Sequence, residues 1–164
     1  MRRPMLLLIF STMCAVGSGS TRDAQPQRFF QYSHQDLQVF ERTLRPRMNQ
    51  YKQAAEQLGD FGNHTAWMAH READGLVEVH ENWSDLVFVI SGTASLRVGG
   101  ELRQPYVESP GELRGKNGVG GTLHVVHQGD VVNVPAGVPH QFLVPPGQQI
   151  TFFTMKIAKI PPRP

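Results

Sequence analysis

The sequence predicts an all-β fold, a double-sheet jelly roll preceded by one helical segment. Three observations carry this. From Thr65 onward, short runs rich in Val, Ile, Phe and Thr recur between Gly, Pro, Asp and Asn. No strand-helix-strand alternation appears, which excludes a parallel α/β sheet. Glycine and proline are plentiful, 16 and 12 of 164 residues, which favours many tight turns over a helical bundle or coiled coil. The length corresponds to one domain, and 40% hydrophobic against 18% charged residues is an ordinary globular composition.

The chain opens with a pattern expected of a signal peptide over residues 1–20. Arg2 and Arg3 form a positive start, residues 5–16 are an apolar run, and the small residues Gly17, Ser18, Gly19 and Ser20 follow. The apolar run is shorter than the roughly 20 residues that span a bilayer. Cleavage between Ser18 and Ala24 is expected to leave a secreted or periplasmic protein with no membrane contact. Cys14 lies inside this leader, preceded by Met13 rather than by the small residue a lipid-anchored cysteine requires. The mature chain then has no cysteine, hence no disulfide, zinc-thiolate site or thiol nucleophile. Removing Arg2 and Arg3 from the 16 basic residues leaves 14, against 14 acidic ones. A neutral chain without a basic run is not a nucleic-acid-binding surface. The triplets at Asn63 and Asn82 match glycosylation sequons and are read as coincidence.

Residues 21–60 are expected to be a linker and a helical segment, and 61–160 the barrel. Ser33 resembles a helix N-cap, with Asp36 completing a capping box. Leu37, Phe40, Leu44, Met48, Tyr51, Ala55 and Leu58 recur every three or four residues, as on one face of a helix. Pro46 interrupts this stripe, so two helices are predicted, over 34–45 and 46–58, with Gly59 as C-cap. Strands are predicted over 65–70, 75–81, 85–91, 94–98, 122–127, 130–134, 140–144 and 149–158. The glycine-rich segment 99–121 has little periodicity and reads as a long loop, either a surface insertion or a lid or subunit contact. Within it, Glu112-Leu113-Arg114 has paired charge to present to a ligand. The tail from Ile160 to Pro164 ends the last strand.

No nucleophile elbow, phosphate loop, dinucleotide fingerprint or zinc-protease helix motif is present in the mature chain. Titratable groups on strands remain. Glu78 and His80 alternate with Val77 and Val79, so they share one strand face. Asp85 opens the following strand. Pro135, Gly137 and Pro139 form a turn that delivers His140 to the start of another strand. Taken singly, each is as well explained by a half-solvated strand or a structural histidine.

Together, the two segments resemble the paired motifs of the cupin superfamily. Gly129, Pro135, Gly137 and His140 match the second motif at every spacing, with Val144 in place of its terminal Asn. Counting back from Gly92, Asp85 falls at the Glu position of the first motif, His80 at its second His and Glu78 at its first. A register starting at His80 and Asn82 leaves too few residues before Asp85. The resemblance covers roughly 70–158. The chain is also similar to small exported single-domain cupins with a helical N-terminal segment and a glycine-rich insertion.

The resemblance implies a cupin-type double-stranded β-helix, a jelly-roll barrel, and a single divalent metal held at the positions of Glu78, His80, Asp85 and His140. Two imidazoles with two carboxylates suit Mn, Fe, Zn, Ni or Cu, one per chain. The same departures from the motif fit a barrel that has lost its metal. Trp83, in the turn between the motif strands, is expected to stack on a ligand or cover the rim. Phe88 and Phe142 are candidates for pocket wall or core, and Arg114 for the pocket. His124 and His127 point to opposite strand faces and are not read as ligands. His34, His64 and His70 carry no spacing argument. Three functions stay open: a metal-dependent enzyme on a small molecule, a non-catalytic binder of a sugar or other small ligand, and a structural barrel. A homodimer is expected.

Overall fold

The computed structural model describes residues 30–159; the leader, most of the linker and the tail from Ile160 lie outside the described residues. Helix α1 (His34–Leu44) starts where the capping pattern puts it. Ser33 Oγ accepts from the Asp36 N–H, and the Asp36 carboxylate accepts from the Ser33 N–H at 2.8 Å. Leu37, Phe40 and the fully buried Leu44 pack with Met68, Ile90 and Phe153. Among the described residues, no helix is long and apolar enough to cross a membrane.

The second helix expected over 46–58 is not formed. A 3-10 turn (Arg45–Arg47) follows α1, and Gln53–Asp60 is strand β1. Pro46 opens the turn. The Asn49 carboxamide then accepts from the Tyr51 N–H at 2.9 Å, and Lys52 takes a left-handed φ of 53°, so the chain reverses. Gly59 lies inside β1, at a register irregularity, and caps no helix. Ala, Glu, Gln and Leu favour helix locally, but pairing along β2 (His64–Arg71) satisfies the backbone of this segment instead. Ala54 and Leu58 still join the apolar layer under α1, now from a strand.

The remaining strands are β3 (Val77–His80), β4 (Trp83–Val98), β5 (Glu101–Arg103), β6 (Tyr106–Ser109), β7 (Glu112–Gly115), β8 (Asn117–Val119), β9 (Thr122–His127), β10 (Val131–Val134), β11 (His140–Leu143) and β12 (Ile150–Ala158). One antiparallel sheet runs β1-β2-β12-β4-β11-β3-β7-β6, with β9 and β10 also on β4, and it curls into a half-barrel. The sequence predicts two strands over 85–91 and 94–98. The structure joins them in β4, whose first half pairs with β12 and β10 and whose second half pairs with β11 and β9. A register shift opposite Thr151 and Phe152 and the positive φ of Gly92, 81°, bend the strand at the middle.

The long loop expected over 99–121 is also corrected. Its glycines and prolines separate four short strands. β5 and β8 pair as a separate ribbon, while β6 and β7 extend the curled sheet beyond β3. Inside the curl, Val87, Val89, Leu96, Val126, Val134, Ile150 and the stacked pair Phe142–Phe152 (4.7 Å between ring centres) form the core. This apolar layer closes one part of the interior and leaves a polar part beside it.

Candidate metal centre

Strand register assembles the polar part. On β3, Glu78 lies opposite His140 of β11 on one side and Arg114 of β7 on the other. His80 lies opposite Glu112 of β7. On β4, Asp85 lies opposite Lys156 of β12. The period of two along each strand turns these side chains to the same interior. The loop Pro135 to Pro139 anchors His140: the Gly137 N–H donates to the His80 carbonyl at 2.8 Å.

Three of the four residues singled out by the sequence, Glu78, His80 and His140, each offer a ligand atom, all within 4.8 Å of one another. Asp85 is not part of that group of three, but its Oδ2 lies beside both rings, 3.3 Å from His80 Nε2 and 3.6 Å from His140 Nε2. Glu78 Oε2 is 3.5 Å from His80 Nε2. Both histidines are buried, at 2% and 5% exposure.

Hydrogen bonding behind the rings orients them. His80 Nδ1–H donates to the Glu112 carboxylate, and His140 Nδ1–H donates to the Val138 carbonyl at 3.1 Å. In the neutral rings both Nε2 atoms are therefore bare acceptors turned toward Asp85 and Glu78. A carboxylate or carbonyl behind Nδ1 is how metal-ligating imidazoles are commonly held. For an ion bound at roughly 2.1 Å, opposite donors stand roughly 4.2 Å apart. The donor set comes close to that size, and its N and O atoms suit a borderline divalent ion. The residues fit the group.

The electrostatics are those of a compressed donor set. Burial raises the Glu78 carboxyl, but Arg71, Arg114, His140 and His80 pull it further the other way, to about 2. Asp85 is raised by burial and lowered more by the neighbouring His140 and His80 rings and by Lys156, ending well below the ordinary carboxylate range. Burial lowers His140, yet Asp85 and Glu78 raise it on balance. The two carboxylates thus favour a positive charge at the centre of the cluster.

Glu78 yields a prediction. A folded value near 2 against the ordinary 4.5 stabilises the fold fully above pH 4.5, and this is lost as pH falls toward 2. The difference is worth about 3 kcal/mol. Chemical unfolding of the chelator-treated protein across this window is expected to show that loss, alongside a further one from Asp85. Glu78→Gln is expected to be weaker at neutral pH and to fall by about 3 kcal/mol less on acidification. Equal losses in the two proteins would contradict the assignment.

A cavity of about 540 Å³ opens over the cluster. Glu78, Asp85, His140, Arg114 and Phe142 line it. His80 is not among its lining residues and sits behind Lys156, which is. Trp83 is not a lining residue either. Phe88 is corrected outright: its ring lies 6.1 Å from Phe153, which packs under α1. Strand alternation explains this, because Phe88 has the opposite parity to Asp85, Val87 and Val89.

Four participants were not expected from the sequence, or only faintly. Arg71 Nη2 donates to Glu78 at 2.8 Å. Lys156 Nζ lies 2.7 Å from His80 Nε2 and 3.3 Å from Asp85 Oδ1. Thr154 Oγ1 is buried without a partner beside the cavity. Glu112 holds His80, beyond the paired charge noted for it with Arg114. A single Lys within the apolar run 149–158, in phase with Phe152 and Thr154, was the legible signal for Lys156. His124 and His127 are exposed on β9, and His70 is buried, sharing a 2.8 Å hydrogen bond with Thr151.

No protein-family model and no curated protein matches the sequence. Among solved structures, the chain is similar to the polyketide cyclase RemF from Streptomyces resistomycificus, with 19% identity, 68% of each chain covered and a TM-score of 0.47. It is similar to the DMSP lyase DddQ from Ruegeria pomeroyi, with 15% identity over 68% of this chain and 50% of that one, TM-score 0.48. A cupin-2 domain protein from Rhodospirillum rubrum shares 17% identity over 67% of this chain and 62% of its own, TM-score 0.48. The chain therefore spans half of the lyase and under two thirds of the cupin-2 domain protein. Its own strand order and curl form a jelly-roll half-barrel, the architecture that the cupin resemblance implied, with Glu78, His80, Asp85 and His140 gathered on the inner side.

Proposed function

We propose that the chain holds one divalent transition metal at Glu78, His80, Asp85 and His140, and binds or acts on a small molecule in the cavity over it, outside the cytoplasm. The observation that carries this reading is the pair of buried imidazoles. Their Nδ1 atoms are engaged from behind, and their Nε2 atoms face two carboxylates held in the charged form. When bound, such an ion supplies Lewis acidity to an oxygen of the small molecule or lowers the pKa of a bound water.

The chain's own groups define the rest. Phe142 and Phe152 offer an apolar wall to the cavity, and Arg71 Nε and Thr154 Oγ1 are buried polar atoms without partners, on residues that line it. Buried polar groups are normally hydrogen-bonded. A small molecule with an apolar body and a polar end directed at the donor set fits both. Arg71 and Arg114 pair with Glu78 and keep its carboxylate ionised and in place. The leader pattern of Arg2, Arg3 and residues 5–16 supports export.

The test is elemental analysis by mass spectrometry on protein recovered from the exported fraction without chelator. Near one transition-metal ion per chain is expected, with a new N-terminus between Ser18 and Ala24. A protein that stays metal-free after reconstitution with Mn, Fe, Zn, Ni and Cu contradicts the metal, and an intact leader contradicts export. A second reading, a barrel that binds an organic ligand without metal, is favoured by one observation: the Lys156 ammonium already lies against His80 and Asp85.

A further inference from the structure

We infer that Lys156 is an internal stand-in for the metal, holding the donor set together when the ion is absent and leaving when it enters. The inference rests on the metal reading above. Three observations carry it.

The first is position. Lys156 Nζ is 2.7 Å from His80 Nε2 and 3.3 Å from Asp85 Oδ1, so it touches two of the four donors at once. A coordinated ion would contact the same two atoms at roughly 2.1 Å. Ammonium and ion therefore compete for the His80 lone pair, which has no second direction to offer.

The second is charge. Glu78, Asp85, Glu108 and Glu112 face Arg71, Arg114 and Lys156 through ion pairs of 2.8 to 3.7 Å. The network carries one negative charge in excess. A divalent ion added without loss of Lys156 turns this into an excess of positive charge in a buried space, which is costly. Withdrawal of the ammonium removes the direct repulsion and restores the balance.

The third is a way out. Lys156 is 22% exposed and lines the cavity, whereas His80 is 2% exposed and does not. The lysine stem is long and flexible, so its head can move into the cavity while its backbone stays in β12. His80, His140 and Asp85 are anchored by strands and by hydrogen bonds and have no such freedom.

The consequence is that Lys156 sets metal affinity. Because a hydrogen bond to a charged group must be given up before the ion binds, Lys156→Met is expected to bind Zn(II) and Mn(II) roughly ten- to hundred-fold more tightly than the natural protein. Isothermal titration of both proteins, and of Lys156→Arg, which keeps the charge and is expected to stay weak, reads this directly. His140→Ala reports binding elsewhere on the chain.

A second measurement needs no variant. Limited acylation of the natural protein with an amine-reactive ester, followed by peptide mass spectrometry, measures access to Lys156. Its labelling is expected to rise at least several-fold with saturating Zn(II), while the exposed Lys52, Lys116 and Lys159 stay constant as internal references. Equal affinity in the natural protein and Lys156→Met, with binding lost in His140→Ala, overturns the inference and leaves the metal reading standing. Absence of Zn(II) and Mn(II) binding in a folded Lys156→Met overturns the metal reading and the inference with it. If Lys156→Met fails to fold, unchanged labelling of the metal-saturated natural protein overturns the inference alone.

Discussion

Replacing His140 or His80 with Ala is expected to remove the metal altogether. The natural protein should carry about one ion per chain, and each variant less than about a tenth of that under the same purification. The two histidines are not equivalent, which makes the pair informative. His140 sits in the cavity wall, and its loss leaves His80 as the one imidazole beside Glu78 and Asp85. His80 lies deeper and carries the Glu112 carboxylate behind it. Its loss therefore also strands Glu112, leaving Arg114 as the partner at 3.3 Å. His80→Ala should cost fold stability as well as metal, by roughly 1–3 kcal/mol for the lost hydrogen bond to a charged group. His140→Ala frees a backbone carbonyl, at Val138, and leaves Asp85 with His80 and Lys156, so it should cost less. Elemental analysis with chemical unfolding of the chelator-treated variants separates the effects. Retention of metal by both variants would place the ion elsewhere.

Gly92→Ala is expected to cost about 3 kcal/mol or more of stability, combining a left-handed φ with overpacking against backbone. Gly92 has φ +81°, and a Cβ built on it would lie 2.0 Å from the Gln149 carbonyl oxygen. That oxygen is held, because it accepts from the Thr93 N–H at 2.9 Å. Nothing flexible is available to yield. The position is where β4 passes from its pairing with β12 and β10 to its pairing with β11 and β9. Straightening it would separate Asp85, on the first half, from His140, which pairs with Val98 on the second. Gly147→Ala is the matched control: φ is +79°, with nothing within 4 Å of the added methyl, so only backbone strain applies, about 1–2 kcal/mol. Similar denaturant midpoints for the two variants would show that the corner is not rigid.

The capping box at Ser33 and Asp36 was legible because its partners are three residues apart in the chain. The β-strands were legible because their alternation and turn residues are local too; the ranges predicted for β9 and β12 nearly coincide with the observed ones. The second helix over 46–58 failed for the complementary reason. Its apolar spacing suits a helix, but the segment becomes β1 because β2 offers it a partner from outside its own window. Gly92 was read as an end between two strands, although a glycine in a strand can equally mark a bend with close backbone approach. The sequence allows Phe88 as pocket wall or core; three residues from Asp85, it takes the opposite face of the strand and packs near Phe153.

At the site, spacing within β3 was enough to put Glu78 and His80 on one face, and the turn before His140 was enough to start β11 there. That much is short-range chemistry, written in alternation and in turn residues. Which groups stand opposite them is a matter of register between strands far apart in the chain. Lys156 meets Asp85 across 71 residues, Glu112 meets His80 across 32, and no periodicity within either strand carries that pairing. Charge compensation in a buried cluster depends on distance in space. The chain alone determined most of the strands from β2 onward and, through the cupin resemblance, marked Glu78, His80, Asp85 and His140 as candidates; the curl of the sheet determined that a lysine faces them and that a cavity opens above.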